Sequence, residues 1–517
     1  MLPTPFSVFP AATRSHGIAL LTALAMTMGL TACGVIGPNF QKPVIEPPAQ
    51  WTHQPNGTSP AAASVPAMPS ALPANRWAAF GDAELLLLQA LSTQANADVK
   101  VAALRLLQSR VNESTVSAQR GPRLDARGGV SRQRQSESGS ATRVAGALGS
   151  GNQQPLIDVL SAPFALYQAG FDASWEPDLW GRVARSEEVA KASSDAQQAL
   201  LRQVHLSVAS EVARYYFELR SVQQQSRLVQ EELTLAQELE RVLIAQQHGG
   251  LVDESAVIGQ QSRETSLEAL LPALGAQETQ AMNQIALLCG TRPGDLREQL
   301  SAQAPPAAVV QLPDLRLGLP SEIVRHRPDV SAAEAALHVA TANIGLAMAD
   351  LYPKITLGAA FGLESVNSNK FGEWGSRQWS VGPSLSIPLF DNGRRHSIVT
   401  LRELQQQESA VAYQQVVLKA WHEVDNAIAD YLAQTQRRSQ LEKKVNLAQA
   451  QVKLDQARFA HGLSNVVPVS SSDMALLETR RDLVESQGQL NTSLTALYKA
   501  LGDDSQETKS GKPLQNN

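Results

Sequence analysis

Residues 235–251 read LAQELERVLIAQQHGGL, and residues 447–463 read LAQAQVKLDQARFAHGL. The second stretch is the first displaced by 212 positions. The match widens in both directions until Gly181–Gly290 lies on Gly393–Gly502 without a gap. Gly181-Arg182 falls on Gly393-Arg394, Glu211-Val212 on Glu423-Val424, and Gly290 on Gly502. A repeat of this kind outranks any motif, because missing it misassigns the whole fold. Two copies, rather than many, mean a duplication within one molecule.

Each copy reads as a very long helix, a turn and a shorter helix. No proline and no internal glycine interrupts the run from Gly181 to Gln247, so nothing stops a helix there. Val204, Val208, Val212, Tyr215, Leu219 and Val222 recur at threes and fours, as do Val417, Ala420, Val424, Ala427 and Tyr431. That is the seam of a helix packed lengthwise on neighbours. At 1.5 Å per residue each long helix would run roughly 100 Å. Glycines in His248-Gly249-Gly250-Leu251 and His461-Gly462-Leu463 supply the residue that ends a helix at its C′ position.

The duplication continues upstream with a different offset, 231, which sets Asp98-Val99 on Asp329-Val330 and Pro122 on Pro353. A helix precedes each proline, over about Asp82–Gln119 and Asp329–Leu351. Strand patterning follows it. Ile355, Leu357, Ala359, Phe361 and Leu363 alternate with small or polar residues, and so do Trp379, Val381, Pro383, Leu385, Ile387 and Leu389. Tyr167, Ala169, Phe171, Ala173 and Trp175 repeat the pattern in the first copy, with Leu124, Ala126, Gly128 and Val130 as a weaker partner. Period-two runs near ten residues, with aromatics at their ends, suit strands with one side on lipid.

Open sheet edges are not tolerated in hydrocarbon, so such a sheet has to close. Four strands are too few for a membrane barrel, and the barrel is therefore expected to be shared between chains. The tips 131–165 and 364–377 read as external loops, the first of them mobile.

Composition adds bounds. A net charge of −5 gives no sign of nucleic-acid binding, and Cys33 and Cys289 make no disulfide framework. At the amino terminus Arg14 and His16 precede the apolar run Ile18–Leu30, too short to span a bilayer and the right length for a signal-peptide core. Leu30-Thr31-Ala32-Cys33 at its end resembles the lipobox of bacterial lipoproteins. The resemblance implies cleavage before Cys33 and acylation of Cys33, with Gly34 directing the product to the outer membrane. Residues 41–75 are rich in Pro, Ala and Ser and read as an extended segment, after which Trp77 and Phe80 open the folded part.

Over nearly the whole mature chain the sequence resembles the TolC-like outer-membrane factors of tripartite efflux pumps, in their NodT/OprM-type lipoprotein branch. The carriers are Cys33 followed by Gly37-Pro38-Asn39-Phe40, then Trp77-Ala78-Ala79-Phe80-Gly81-Asp82 with Leu85. Most specific are Leu319-Pro320-Ser321-Glu322 and Arg325-His326-Arg327-Pro328-Asp329-Val330. In the latter, Pro328 is expected to stop a short helix and Asp329 to cap the next.

The resemblance implies a mainly α fold with a membrane β part. Four strands per chain would enter a shared 12-stranded barrel in a homotrimer, below which a helical barrel crosses the periplasm. It implies an outer-membrane location in a Gram-negative bacterium, no cofactor beyond lipid on Cys33, and two partners. These are a periplasmic adaptor, met by the helix-turn tips Gly250, Leu251, Gly462 and Leu463, and an inner-membrane pump, usually proton-driven and of the resistance-nodulation-division type. The channel itself would be a passive duct.

The chain then divides into a signal peptide (1–32), a lipidated extended segment (33–75), a first repeat (76–290), an equatorial segment (291–320), a second repeat (321–502) and a disordered tail (503–517). Within the first repeat lie a hairpin at 123–179 and helices at 181–247 and 252–289. The second holds a hairpin at 354–389 and helices at 393–460 and 463–501.

Relatives often narrow the periplasmic tip with acidic residues after the second turn. This sequence has Ser471 and Pro468 there, leaving Asp473 as the nearest carboxylate, with Asp253 and Glu254 near the other turn. These three are the gate candidates. No catalytic constellation is present: His422-Glu423 lacks the second histidine of a zinc-protease helix, and there is no phosphate-cradling loop. The rival reading is a lipid-anchored periplasmic tether or adaptor, which needs neither strands nor duplication.

Overall fold

The computed structural model describes residues 34–48, 51–52, 76–139, 154–301, 324 and 326–502. The expected signal peptide, Cys33, most of the 41–75 linker, residues 302–320 of the equatorial segment, Leu319-Pro320-Ser321-Glu322, Arg325 and the 503–517 tail lie outside the described residues. So does the 140–153 part of the first tip.

The elements run α1 (Ala83–Ala95), α2 (Ala97–Ser117), β1 (Arg123–Gln133), α3 (Gln154–Ser161), β2 (Phe164–Trp175), α4 (Arg182–His248), α5 (Glu254–Leu288), α6 (Arg297–Ser301), α7 (Pro328–Ala349), β3 (Lys354–Ser365), β4 (Arg377–Ser386), α8 (Arg394–Ala460) and α9 (Val466–Ala500). The duplication is carried element by element. Both α4 and α8 have 67 residues and both α5 and α9 have 35, with starts 212 apart. α2 and α7 begin 231 apart, as do β1 and β3.

The chain forms two compact units. The first contains Arg110–Ser193 and Leu337–Glu408 with the N-terminal residues to Gln41. Its centre is an antiparallel four-stranded sheet in the order β1-β2-β3-β4. The second contains Lys42–Ser109, Ser194–Ala336 and Ser409–Asn517. Its core takes Leu85 and Leu88 from α1, Val212 and Phe217 from α4, Ile285 from α5, Val424 and Ile428 from α8, and Leu494 and Tyr498 from α9. The periodic seam residues face inward: Val208, Val212, Leu219 and Val222 are buried, as are Val417, Ala420, Val424, Ala427 and Tyr431.

Several features depart from the sequence reading. The helix expected over Asp82–Gln119 breaks at Asn96, whose ψ of 133° leaves the helical region. Its side chain then caps α2 by accepting from the amides of Asp98 and Val99. β4 ends at Ser386, although alternation runs on to Leu389; Pro388 has no amide to give a ladder. The first tip is not wholly loop, since β1 continues to Gln133 and α3 occupies Gln154–Ser161. Pro328 begins α7 instead of stopping a helix, so Asp329 lies inside the first turn and Arg327 takes the position before it. Trp51 belongs to the second unit's hydrophobic core, 26 residues ahead of the expected start of folded structure, and the Thr52 amide donates to Asp425 at 2.9 Å.

Candidate functional site

The sheet has two chemically distinct faces because the registers align like with like. Ala126, Phe171, Phe361 and Trp379 form one cross-strand row, and Leu124, Ala173, Ala359 and Val381 the next. Leu124, Val130, Phe171, Phe361, Trp379 and Val381 are all exposed. An apolar face this continuous, left open, needs an apolar medium or partner.

The other face carries Arg127, Gln168, Asp172, Glu364 and Gln378 among glycines and serines. Arg127 pairs with Asp172 at 3.0 Å, and Glu364 accepts from Gln168 at 2.7 Å. Gly170 and Gly362 sit opposite each other on this face; a Cβ on Gly170 would meet the Phe361 carbonyl at 2.7 Å. The backbones approach so closely there that only glycine fits without displacement. β1 and β4 are its two open edges.

At the helical end of the sheet aromatic side chains are fixed by their N–H groups. Trp175 Nε1 donates to the Arg120 carbonyl at 2.9 Å, and Trp180 Nε1 to that of Pro353 at 2.6 Å, with Trp180 stacked on Tyr352. Tethered indoles of this kind sit well at a membrane–water boundary.

The motif Gly37-Pro38-Asn39-Phe40 is a strap laid on the first unit's helices. The buried Arg185 of α4 donates to the carbonyls of Ile36 (3.1 Å) and Gly37 (3.0 Å), to Asn39 Oδ1 (3.0 Å) and to Glu188 (2.6 Å). Gly37, at φ 95°, touches Gly345 of α7 so closely that a Cβ would lie 2.4 Å from its Cα. Phe40 stacks on His338, whose Nε2 lies 2.8 Å from Glu188. Gly34, at the start of the strap, is exposed. Sequence reasoning passed over Arg185; the available signal was that position 397, its equivalent in the other copy, is serine.

In the second unit the two helix turns are superimposable in their bonding. Leu251 N donates to Gln246 O and Gly250 N to Gln247 O, while Leu463 N donates to Arg458 O and Gly462 N to Phe459 O. Both are Schellman caps with glycine at φ near 70°. Leu251 and Leu463 are each 78% exposed, so each turn presents one leucine outward.

The gate candidates have different surroundings. Asp253 caps α5, accepting from the amide of Ala256 at 3.2 Å and the Ser255 hydroxyl at 2.7 Å. Those bonds, the hydroxyl's first, hold its carboxyl below the usual range. Asn465 does the same for α9 through the amide of Val467. Glu254 is exposed in the first turn of α5. Asp473 lies inside α9, half-buried beside the buried Met474, and burial raises its carboxyl above the usual range. Among the described residues no hydrogen bond or ion pair joins Asp473 to Asp253 or Glu254.

An exposed apolar face, a polar glycine-rich reverse and paired long hairpins are thus combined in one duplicated chain. Residues 88–291 and 319–503 match the family model described as outer membrane efflux protein. The chain belongs to this family. The Cation efflux system protein CusC of Escherichia coli O6:H1 is 27% identical over 487 residues, covering 93% of this chain and 98% of the relative. The Pyoverdine export outer membrane protein OpmQ of Pseudomonas putida is 28% identical over 484 residues, covering 93% and 97%. The solved structure of the outer-membrane channel OprN superposes with a TM-score of 0.76 at 27% identity, covering 91% of this chain and 99% of that one. The mainly helical architecture with a small sheet is the one these outer-membrane channels share.

Proposed function

We propose that the protein is the outer-membrane duct of a tripartite efflux system, a homotrimer whose three four-stranded sheets close into one 12-stranded barrel. The observation that carries this is the sheet: apolar and exposed on one face, polar and glycine-rich on the other, with both edges unpaired. In hydrocarbon those edges must be satisfied, and edge-to-edge closure of copies does so while placing the polar face on a water-filled lumen. The long hairpins then continue the duct through the periplasm. The domain boundaries given above, including a cleaved leader over 1–32 and a belt around 291–320, follow from this reading.

Cys33 would carry the lipid, with Gly34 as the sorting residue. The strap supports this, because it ties the chain to α4 only a few residues after Cys33, on the unit that holds the membrane sheet. A covalent lipid adds about 0.8 kcal/mol per buried CH₂, and the strap would make that anchoring local to the barrel.

The turns at Gly250-Leu251 and Gly462-Leu463 would meet a periplasmic adaptor through their outward leucines. The adaptor in turn would couple the duct to an inner-membrane pump, proton-driven and of the resistance-nodulation-division type. Relatives of similar identity are named for cations and for pyoverdine, which fits a passive duct whose cargo is chosen by the pump. Asp473 is proposed as the carboxylate narrowing the closed tip, since three copies would make a cation-selective ring. Asp253 and Glu254 are weaker candidates, the first because its Oδ1 already serves as a cap.

Single-channel conductance in a planar bilayer, with the oligomeric mass, tests the reading. A trimer with small currents that grow on Asp473→Ala supports duct and gate together. A trimer whose currents ignore that change keeps the duct and removes Asp473. Absence of insertion and of an oligomer leaves the lipid-anchored tether.

A further inference from the structure

The register of the sheet sorts the charged residues of its four strands by face. Arg123, Asp125 and Arg127 of β1, Asp172 of β2, and Lys354 and Glu364 of β3 all fall on the polar side. Arg132 of β1 and Arg377 of β4 fall on the apolar side, and no carboxylate of the four strands accompanies them there. Both stand at strand ends next to the external tips, Arg132 as the last residue but one of β1 and Arg377 as the first of β4. At the other end of the strands the apolar side carries no cation.

The polar-side charges are matched within the chain. Arg123 pairs with Asp125 at 2.8 Å, Arg127 with Asp172 at 3.0 Å and Lys354 with Asp350 at 3.2 Å. Glu364 accepts from the side-chain amides of Gln168 (2.7 Å) and Gln378 (3.3 Å). Arg134, just past β1, is occupied by Glu137 at 2.6 Å and by the Ser161 carbonyl at 3.2 Å. The two apolar-side arginines are left over. The exposed Arg132 side chain has no hydrogen-bond or ion-pair partner among the described residues. Arg377, also exposed, donates Nη1 to the Trp374 carbonyl at 2.8 Å and lies over the Trp374 ring, with Cζ 4.2 Å from its centroid. No carboxylate pairs with it among the described residues.

A cation on a lipid-facing surface costs little where hydrocarbon meets headgroups and far more at the midplane. Trp374 beneath Arg377, and Trp379 two residues on along the same face, are both exposed and give this end an aromatic boundary. Cations at one end only, with no acid beside them, match an anionic headgroup layer found on that side alone. A single sheet cannot bring the two arginines together, because three strand spacings, about 14 Å, separate β1 from β4. Closure between copies does so, by laying β4 of one copy beside β1 of the next at about 5 Å.

We propose that Arg132 of one copy and Arg377 of the next together hold a phosphate of an outer-leaflet glycolipid at each β1–β4 seam. The proposal rests on the trimeric reading, since neither copy alone supplies both arginines. Guanidinium groups suit this partner because their planar forks meet phosphate oxygens through parallel N–H bonds. The lipid's acyl chains would lie along the apolar rows below, over Val130 on β1 and over Trp379 and Val381 on β4. A phospholipid common to both leaflets would be expected to meet cations at both ends of the sheet, and the apolar side has them at one.

The test uses the full-length protein, stripped of lipid in detergent and offered one of three lipids: diphosphorylated lipid A, the same lipid with its phosphates removed, and phosphatidylglycerol. Native mass reads the oligomer and the lipid it retains. Wild type comes first, and its failure to form a trimer would remove the trimeric reading and the proposal with it. A wild-type trimer should retain the diphosphorylated lipid in preference to the other two. Arg132→Gln/Arg377→Gln should still assemble and should lower that retention by about tenfold, the scale of a lost charge-assisted hydrogen bond. Arg123→Gln, on the polar side, should retain lipid as wild type does. If the double variant does not assemble, Arg132→Gln and Arg377→Gln taken singly decide by the same measure. A trimer that shows no preference for the diphosphorylated lipid, or arginine variants that hold it as well as wild type, would overturn the proposal and leave the trimer standing.

Discussion

The junctions where each short helix begins beside the end of a returning helix solve one problem in two chemistries. In the first copy, Asn96 Nδ2 donates to the Leu288 carbonyl at 2.9 Å. In the second, Arg327 Nη1 donates to the Ala500 carbonyl at 2.9 Å. Leu288 and Ala500 are 212 apart and Asn96 and Arg327 are 231 apart, so these are equivalent positions under the two offsets. Beyond each carbonyl a glycine at positive φ, Gly290 or Gly502, lets the chains approach.

The neutral amide completes its bonding with backbone amides alone. The guanidinium needs charges, and it takes Asp329 (2.7 and 3.0 Å) and Glu423 (2.5 Å). Burial works against the Arg327 cation, yet its pKa is raised because these two carboxylates outweigh the desolvation. What the duplication preserves is the orphan carbonyl at a helix end. The group that satisfies it is free to change. This also explains why Arg327-Pro328-Asp329 is architectural.

Breaking the charged junction should cost most. Arg327→Ala strands Asp329 and the Ala500 carbonyl and leaves Glu423 with Lys419 alone, at 3.6 Å. It should destabilise the second unit by about 2–4 kcal/mol, reduced from the full cost of an unpaired buried charge because water reaches Glu423, itself 40% exposed. Denaturant midpoints in detergent check this. Gly290→Ala should follow at about 2 kcal/mol, from a positive φ and a Cβ placed against backbone, the Ala95 carbonyl being 2.7 Å away. Gly502→Ala should cost slightly less, since the approach there is a little looser, with Arg327 Cγ at 2.9 Å and its Cα at 3.0 Å. Asn96→Ala should cost about 1–2 kcal/mol, by loss of a cap and an unsatisfied carbonyl.

The tips sharpen the same contrast on a smaller scale, because Asp253 and Asn465 are equivalent caps of which only one titrates. A carboxyl held below its ordinary value of 3.8 stabilises the fold above that pH and loses the contribution as pH falls through its folded value. Amide protection at the start of α5, corrected for the intrinsic pH dependence of exchange, should therefore fall in acid, while protection at the start of α9 should hold. Asp253→Asn should abolish the difference.

Much of this was legible in the sequence, for physical reasons. Helices of 67 residues announce themselves by an unbroken three-four seam with glycine at the end, and strands by alternation of residues such as Phe361 and Gly362. What was not legible depends on contacts distant in the chain. Trp51 lies in a Pro/Ala/Ser-rich stretch and is ordered only by the core it enters. Arg185 looks like any helix-surface arginine until the strap arrives 149 residues from its own position. The break at Asn96 costs a helical residue that local propensity would have allowed, and the Leu288 carbonyl is its reason. An aspartate just after a glycine turn reads equally well as gate or cap, and for Asp253 the geometry gives the cap.

The central claim is that the two open edges of the sheet are joined between copies. Cysteines on the edges, Ser131→Cys in β1 with Ser380→Cys or Ser384→Cys in β4, test it directly. Within one chain β1 and β4 are separated by β2 and β3, about 14 Å at ordinary strand spacing and beyond disulfide reach. Oxidised membranes should yield a covalent dimer and a closed trimer, with nothing larger. Monomer alone at every β4 position scanned, or a ladder running past three, would contradict the shared barrel.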